Sequence, residues 1–127
     1  LTQFWKCLND FMPDKTFILN KEGKGELEIE VSENKTKKQI INIPSLSSGE
    51  KQLFILLTEA LLQNKTSQLF IADEPELSLH IDWQRKVLNA LLELNPKAQI
   101  IVATHSPEIA SKFPKNIVNM SNITRYE

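Results

Sequence analysis

The sequence predicts an α/β fold, a parallel sheet core with flanking helices, preceded by a small antiparallel β arm. Two observations carry this. After Pro44, apolar runs of strand length alternate with longer helical stretches, as in a parallel sheet covered on both faces. Before Pro44, the run "ELEIEV" (26–31) alternates acid with aliphatic, as in a strand with one solvated face.

The elements follow in order. Leu1, Phe4, Trp5, Leu8, Phe11 and Met12 recur at helical spacing, and Pro13 closes that helix. "TFIL", "ELEIEV" and "KKQIINI" read as three strands. Leu27, Ile29 and Val31 share one face of the second, and Glu26, Glu28 and Glu30 share the other. "SENKT" is a hairpin turn, across which Lys37 and Lys38 can pair with the glutamates. "LSSGEKQLFILLTEALLQ" is a capped apolar helix with Ser47 as N-cap and Glu50 three residues on. "QLFIAD" and "AQIIVATH" read as buried strands flanking the amphipathic helix "HIDWQRKVLNALLELN". Ser106 and Pro107 start a short helix, and "NIVNM" reads as a last short strand. The divisions expected are a helix at 1–15 from a preceding helical or inserted region, a β arm at 16–43, and the α/β lobe at 44–127.

With 127 residues, 41% of them hydrophobic, the chain can bury one modest core. Its net charge of −1 offers no phosphate-neutralising field, although nucleic acid can still be a partner of a larger assembly. Cys7 is the one cysteine, which excludes an internal disulfide and fits a reducing cytoplasm. No apolar run reaches the length of a membrane span, so no membrane is expected as a partner. The first residue is Leu, which leads us to expect a piece of something longer.

The chemistry concentrates in "LFIADEPELSLH" (69–80), where an apolar strand runs into Asp73, Glu74 and Glu76. In a parallel α/β sheet, ligands gather beyond the carboxyl ends of the strands. Asp73 and Glu74 end one strand, and Thr104 and His105 end the next. Paired carboxylates can divide the work: one holds Mg²⁺ through water while the other accepts a proton from an attacking water. Upstream, "LSSGEKQ" (46–52) opens a helix, whose free N–H groups and dipole form an anion site, and Gly49 allows close approach. Each feature alone also has a plain structural reading as a turn, a cap or a surface residue.

In this order and spacing, "LSSGEKQ", "LFIADEPELSLH" and "IIVATHSPEIA" resemble the signature motif, Walker B, D-loop and H-loop of ABC-type ATPases. These are P-loop NTPases, and the chain is most similar to the C-terminal lobe of the soluble, SMC-like heads. That subgroup includes DNA-repair ATPases and anti-phage ATPases of the overcoming-lysogenization-defect and PtuA kinds, where "EPE" followed by "LH" is common. The resemblance covers roughly residues 40–120. It implies ATP and Mg²⁺ as cofactors. Asp73 would support Mg²⁺ through water, Glu74 would polarise the attacking water, and His105 would contact the γ-phosphate. Ser47 and Gly49, with Ser48 and Glu50 in the same stretch, would bind ATP held by the opposite protomer of a head-to-tail homodimer. Leu77, Ser78 and His80 would lie in the D-loop region at the dimer seam.

The sequence departs from the pattern in places. Ser48 stands where a second glycine is usual, and Glu50 where glutamine is usual. The D-loop lacks its common aspartate and shows His80, which serves equally well as a polar residue at a helix start. No G-x-x-x-x-G-K-[ST] occurs; "GKGELEIE" has neither its spacing nor its ending. The expected partner is therefore a Walker-A-bearing lobe upstream in the same protein, with a nuclease or nucleic acid beyond it. The expected function is ATP hydrolysis controlling an anti-phage or DNA-repair activity. The rivals are an ATP-gated scaffold with little turnover and a metal-dependent phosphodiesterase using Asp73, Glu74 and Glu76. Zinc is not expected from His80 and His105, which lack a Cys or third His beside them.

Overall fold

In the computed structural model, which describes residues 1–19, 27–34 and 37–123, the predicted helices form where the apolar spacing puts them. Helix α1 (Thr2–Phe11) turns Phe4, Cys7, Leu8 and Phe11 inward. Helix α2 (Ser48–Leu62) contributes Leu53, Leu56, Leu57 and Ala60, and α3 (Ile81–Leu94) contributes Val87, Ala90, Leu91 and Leu94. These faces share one core with Met12, Phe70, Leu79 and Ile109.

The β arm is a three-stranded antiparallel meander of β1 (Lys15–Leu19), β2 (Leu27–Asn34) and β3 (Lys37–Asn42). Ile29 is buried, as the alternation requires, and Lys38 reaches across the hairpin to Glu30 at 2.8 Å. Glu26 and the tip of the "SENKT" turn lie outside the described residues. Phe17 anchors the arm, stacked between Trp5 (centroids 6.2 Å apart) and Phe54 (6.0 Å).

The second sheet is the parallel pair β4 (Leu69–Asp73) and β5 (Gln99–Ala103), joined by α3. Its register sets Phe70 beside Ile100 and Asp73 beside Ala103. Helix α4 (Pro107–Ala110) follows. Two expectations fail here. Among the described residues, helices cover one face of this sheet: Phe70 is buried, while Leu69, Ile71 and Ile101 on the other face are 54%, 70% and 50% exposed. The strands are apolar on both faces, but among the described residues nothing covers the second. "NIVNM" (116–120), read as a strand, forms none; its first and last residues fall in 3₁₀ turns at Pro114–Asn116 and Met120–Asn122. A strand needs a ladder partner, and these residues have no described strand beside them.

Candidate functional site

The two parallel strands deliver their ends side by side. The Glu74 N–H donates to Ala103 O at 2.7 Å, which carries the ladder one residue past β4. There Glu74 adopts a φ of 44°, and Ser78 one of 68°. Left-handed backbone of this kind costs an L-residue about 1–2 kcal/mol and tends to occur at functional sites. The reversal is held by Leu77 N–H to Glu74 O (3.0 Å) and Leu79 N–H to Glu76 O (2.8 Å), with Pro75 and Leu79 buried beneath it. This places Glu74 Oε1 3.6 Å from His105 Nε2, beyond hydrogen-bond length but in direct reach. The His105 side chain is 93% exposed, so packing does not aim it; what is held is its backbone.

Beneath the pair lies a polar cluster. Glu76, 9% exposed, accepts from the Thr104 hydroxyl, from His105 N–H (3.2 Å) and from Ser106 N–H (3.3 Å), all on Oε1. Its Oε2 is buried with no partner among the described residues. The Ser106 hydroxyl donates to Gln84 Oε1 (2.6 Å), and Gln84 Nε2 donates to Leu79 O (3.0 Å). Arg85 bonds Glu108 at 2.6 Å and holds its carboxyl below the ordinary value. The sequence placed Thr104 at the strand end but gave no sign that Glu76, 28 residues away, would bind it.

The Asp73 carboxyl makes no hydrogen bond or ion pair among the described residues. No group of three or more metal-ligating side chains occurs there either. Any ion at this edge would take one oxygen from Asp73 and most of its ligands from water or substrate, a donor set that Mg²⁺ accepts.

At the start of α2 the capping box forms as read. Ser47 Oγ accepts from Glu50 N–H (3.3 Å), and Glu50 Oε2 accepts from Ser47 N–H (2.9 Å). The other Glu50 oxygen is taken by Lys15 of the β arm at 2.8 Å, a contact that no local pattern announces. Burial acts to raise the Glu50 carboxyl, but the Lys15 ammonium and the Ser47 N–H outweigh it and leave it lowered. Ser48 is exposed and Gly49 is buried. A methyl group at Gly49 would be driven into the backbone carbonyl oxygen of Ser78, so the helix start and the turn after β4 meet in van der Waals contact. No hydrogen bond or ion pair among the described residues joins Ser47–Glu50 to Glu74 or His105. Leu77 is exposed. His80 takes the helix-start role, its Nδ1 accepting from Asp82 N–H at 3.4 Å as N-cap of α3.

The family model described as "AAA domain, putative AbiEii toxin, Type IV TA system" matches residues 9–111. The chain belongs to this AAA-domain family. Among its relatives, the Septu protein PtuA of Bacillus thuringiensis is 46% identical over 41 residues, 32% of this chain and 10% of that protein. The retron Vc95 probable ATPase of Vibrio cholerae serotype O1 biovar El Tor is 29% identical over 97 residues, 68% of this chain and 19% of that protein. This AAA-domain chain thus spans a fifth or less of those two relatives. A solved SMC head bound to the C-terminal winged-helix domain of ScpA superposes with a TM-score of 0.63 at 25% identity, over 87% of this chain and 35% of that one. The fold is that of the SMC-type P-loop ATPase heads. Among the described residues, no helix is long and apolar enough to cross a membrane.

Proposed function

We propose that this chain is the signature-to-H-loop lobe of an ATPase head that binds and hydrolyses ATP and, by closing on a second copy, controls an anti-phage or other nucleic-acid-directed activity. The observation that carries the reading is the meeting of Glu74 and His105, 3.6 Å apart beyond two parallel strand ends. Glu74 is the general base that takes a proton from the attacking water. His105 would contact the terminal phosphate, and Asp73 would hold Mg²⁺. Bound Mg²⁺ would neutralise charge on the phosphates. Ser47 and Ser48, exposed at the start of α2, would face ATP held by the other protomer, with Gly49 buried behind them against Ser78 and Glu50 closing the cap; Leu77, Ser78 and His80 would line the seam.

The exposed face of Leu69, Ile71 and Ile101 supports a further part of this reading. It fits a sheet face covered by a Walker-A-bearing lobe elsewhere in the protein, which would supply the phosphate cradle. The divisions at 1–15, 16–43 and 44–127 belong to the same proposal, as do a cytoplasmic location and a partner nuclease. A two-metal site of Asp73, Glu74 and Glu76 is disfavoured, because Glu76 is buried and spends one oxygen on Thr104, His105 and Ser106.

The test is made in the full-length protein. Glu74→Gln should keep ATP and lose about 10²-fold or more in hydrolysis. Ser47→Arg should also be inactive. An equimolar, re-equilibrated mixture of the two should recover about a quarter of wild-type turnover, since half the dimers are mixed and half their sites intact. Normal hydrolysis by Glu74→Gln would refute the base assignment, and a mixture without recovery would refute a shared site.

A further inference from the structure

We infer that Glu76 is a positioning residue: it ties the turn after β4 to the turn after β5 and thereby sets where His105 meets Glu74. The inference rests on the proposed roles of Glu74 and His105. The His105 side chain is almost fully exposed and has no hydrogen bond of its own among the described residues, so packing cannot aim it. Its backbone is held instead, by its own N–H, by the Ser106 N–H and by the Thr104 hydroxyl, on a single oxygen of Glu76. Glu76 stands two positions from Glu74, and its three donors are His105 and the residues on either side of it. A shift of Glu76 therefore moves both catalytic candidates together.

Stability alone does not ask for an acid here. A buried polar group is costly unless fully hydrogen-bonded, and Glu76 leaves Oε2 without a partner among the described residues. A buried oxygen of that kind costs about 1–3 kcal/mol. Well-packed apolar residues commonly serve a fold as well as buried charged groups do. What an apolar residue cannot do is accept three donors from a neighbouring strand end. Ser106 extends the grip: its N–H also reaches Thr104 Oγ1 at 2.9 Å, and its hydroxyl reaches Gln84 on α3.

Because the role is acceptance of hydrogen bonds, glutamine can fill it and alanine cannot. In the full-length protein, Glu76→Ala should lower kcat about 10- to 100-fold, the scale of a displacement near 1 Å at a reacting group. The ATP dissociation constant should stay within about threefold, because misplacement of His105 and Glu74 acts on the chemical step. Glu76→Gln should restore most of kcat. Hydrogen exchange read by mass spectrometry on peptides covering 104–106 gives a readout independent of turnover. The amides of His105 and Ser106 should lose protection in Glu76→Ala and regain it in Glu76→Gln. Should Glu76→Ala fail to fold, Thr104→Val removes one donor, keeps the shape, and should give a smaller kcat loss with ATP affinity unchanged.

Three results would overturn the inference. Normal kcat in Glu76→Ala, despite lost protection at 104–106, would make the contact merely structural. Equal loss in the glutamine and alanine variants would mean that Glu76 acts through charge. A wild-type protein without ATP turnover would remove the catalytic purpose altogether, and the exchange data would then separate that failure from failure of the contact itself.

Discussion

Replacing Lys15 with Met should loosen the start of α2, although Lys15 and Glu50 are 35 positions apart in the chain. Methionine keeps much of the apolar stem and removes the ammonium group that meets Glu50 Oε1 at 2.8 Å. The two side chains are 10% and 18% exposed, between the surface and buried limits. Exposed pairs contribute about 0–1 kcal/mol, and removing one partner of a fully buried pair costs about 3–5 kcal/mol. Glu50 keeps its bond to Ser47 N–H, which brings the expected cost to about 1–2 kcal/mol. Local openings that expose the Glu50 and Lys51 amides should then be roughly 5- to 30-fold more frequent. Hydrogen exchange on peptides spanning 48–53 measures this in the full-length protein. The pH dependence has a definite sign. Glu50 lies below its ordinary value of 4.5, so its contribution is full above pH 4.5 and disappears as pH falls through the lower folded value. Lys15 is raised above 10.5, against the lowering effect of burial, by its bonds to Asp14 and Glu50. Its share is present below 10.5 and lost as pH rises through the higher folded value. The ratio of variant to wild-type exchange should therefore shrink toward one in acid. Exchange within twofold of wild type at neutral pH would refute the reasoning, and a ratio undiminished in acid would assign the effect to packing.

Gly49→Ala should cost about 1–3 kcal/mol and raise exchange in residues 76–80, since its methyl group meets backbone at Ser78; wild-type melting and exchange would count against that contact. Asn95→Ala should lower the melting temperature through a loss of about 2–4 kcal/mol. Asn95 is fully buried, and its side chain serves Gln63 (2.7 Å), Thr66 O (3.0 Å) and Lys97 N–H (3.2 Å); an unchanged melting curve would contradict this. Ile71→Asp, at a position 70% exposed in this chain, should nevertheless cost about 2 kcal/mol or more in the full-length protein if another lobe covers that face. Tolerance there, measured by thermal unfolding, would leave the face open to solvent.

Local pattern was enough for much of the molecule. The Ser47–Glu50 box spans three residues, and the spacing of Phe4, Leu8 and Phe11 shows which side of α1 is buried. Asp73 and Glu74 at one strand end, with Thr104 and His105 at the next, follow from strand length and parallel topology. These depend on backbone geometry and on neighbours three or four positions away, which sequence displays directly. Tertiary structure alone decided what spans tens of residues. Lys15 on Glu50, Glu76 on Thr104, and the Ser78 carbonyl against Gly49 arise only once separate elements pack, and nothing in either partner's local sequence names the other. The same limit explains "NIVNM" and the open face of β4 and β5. Apolar character shows that a segment can be covered or paired, but whether it is depends on what lies beside it in space.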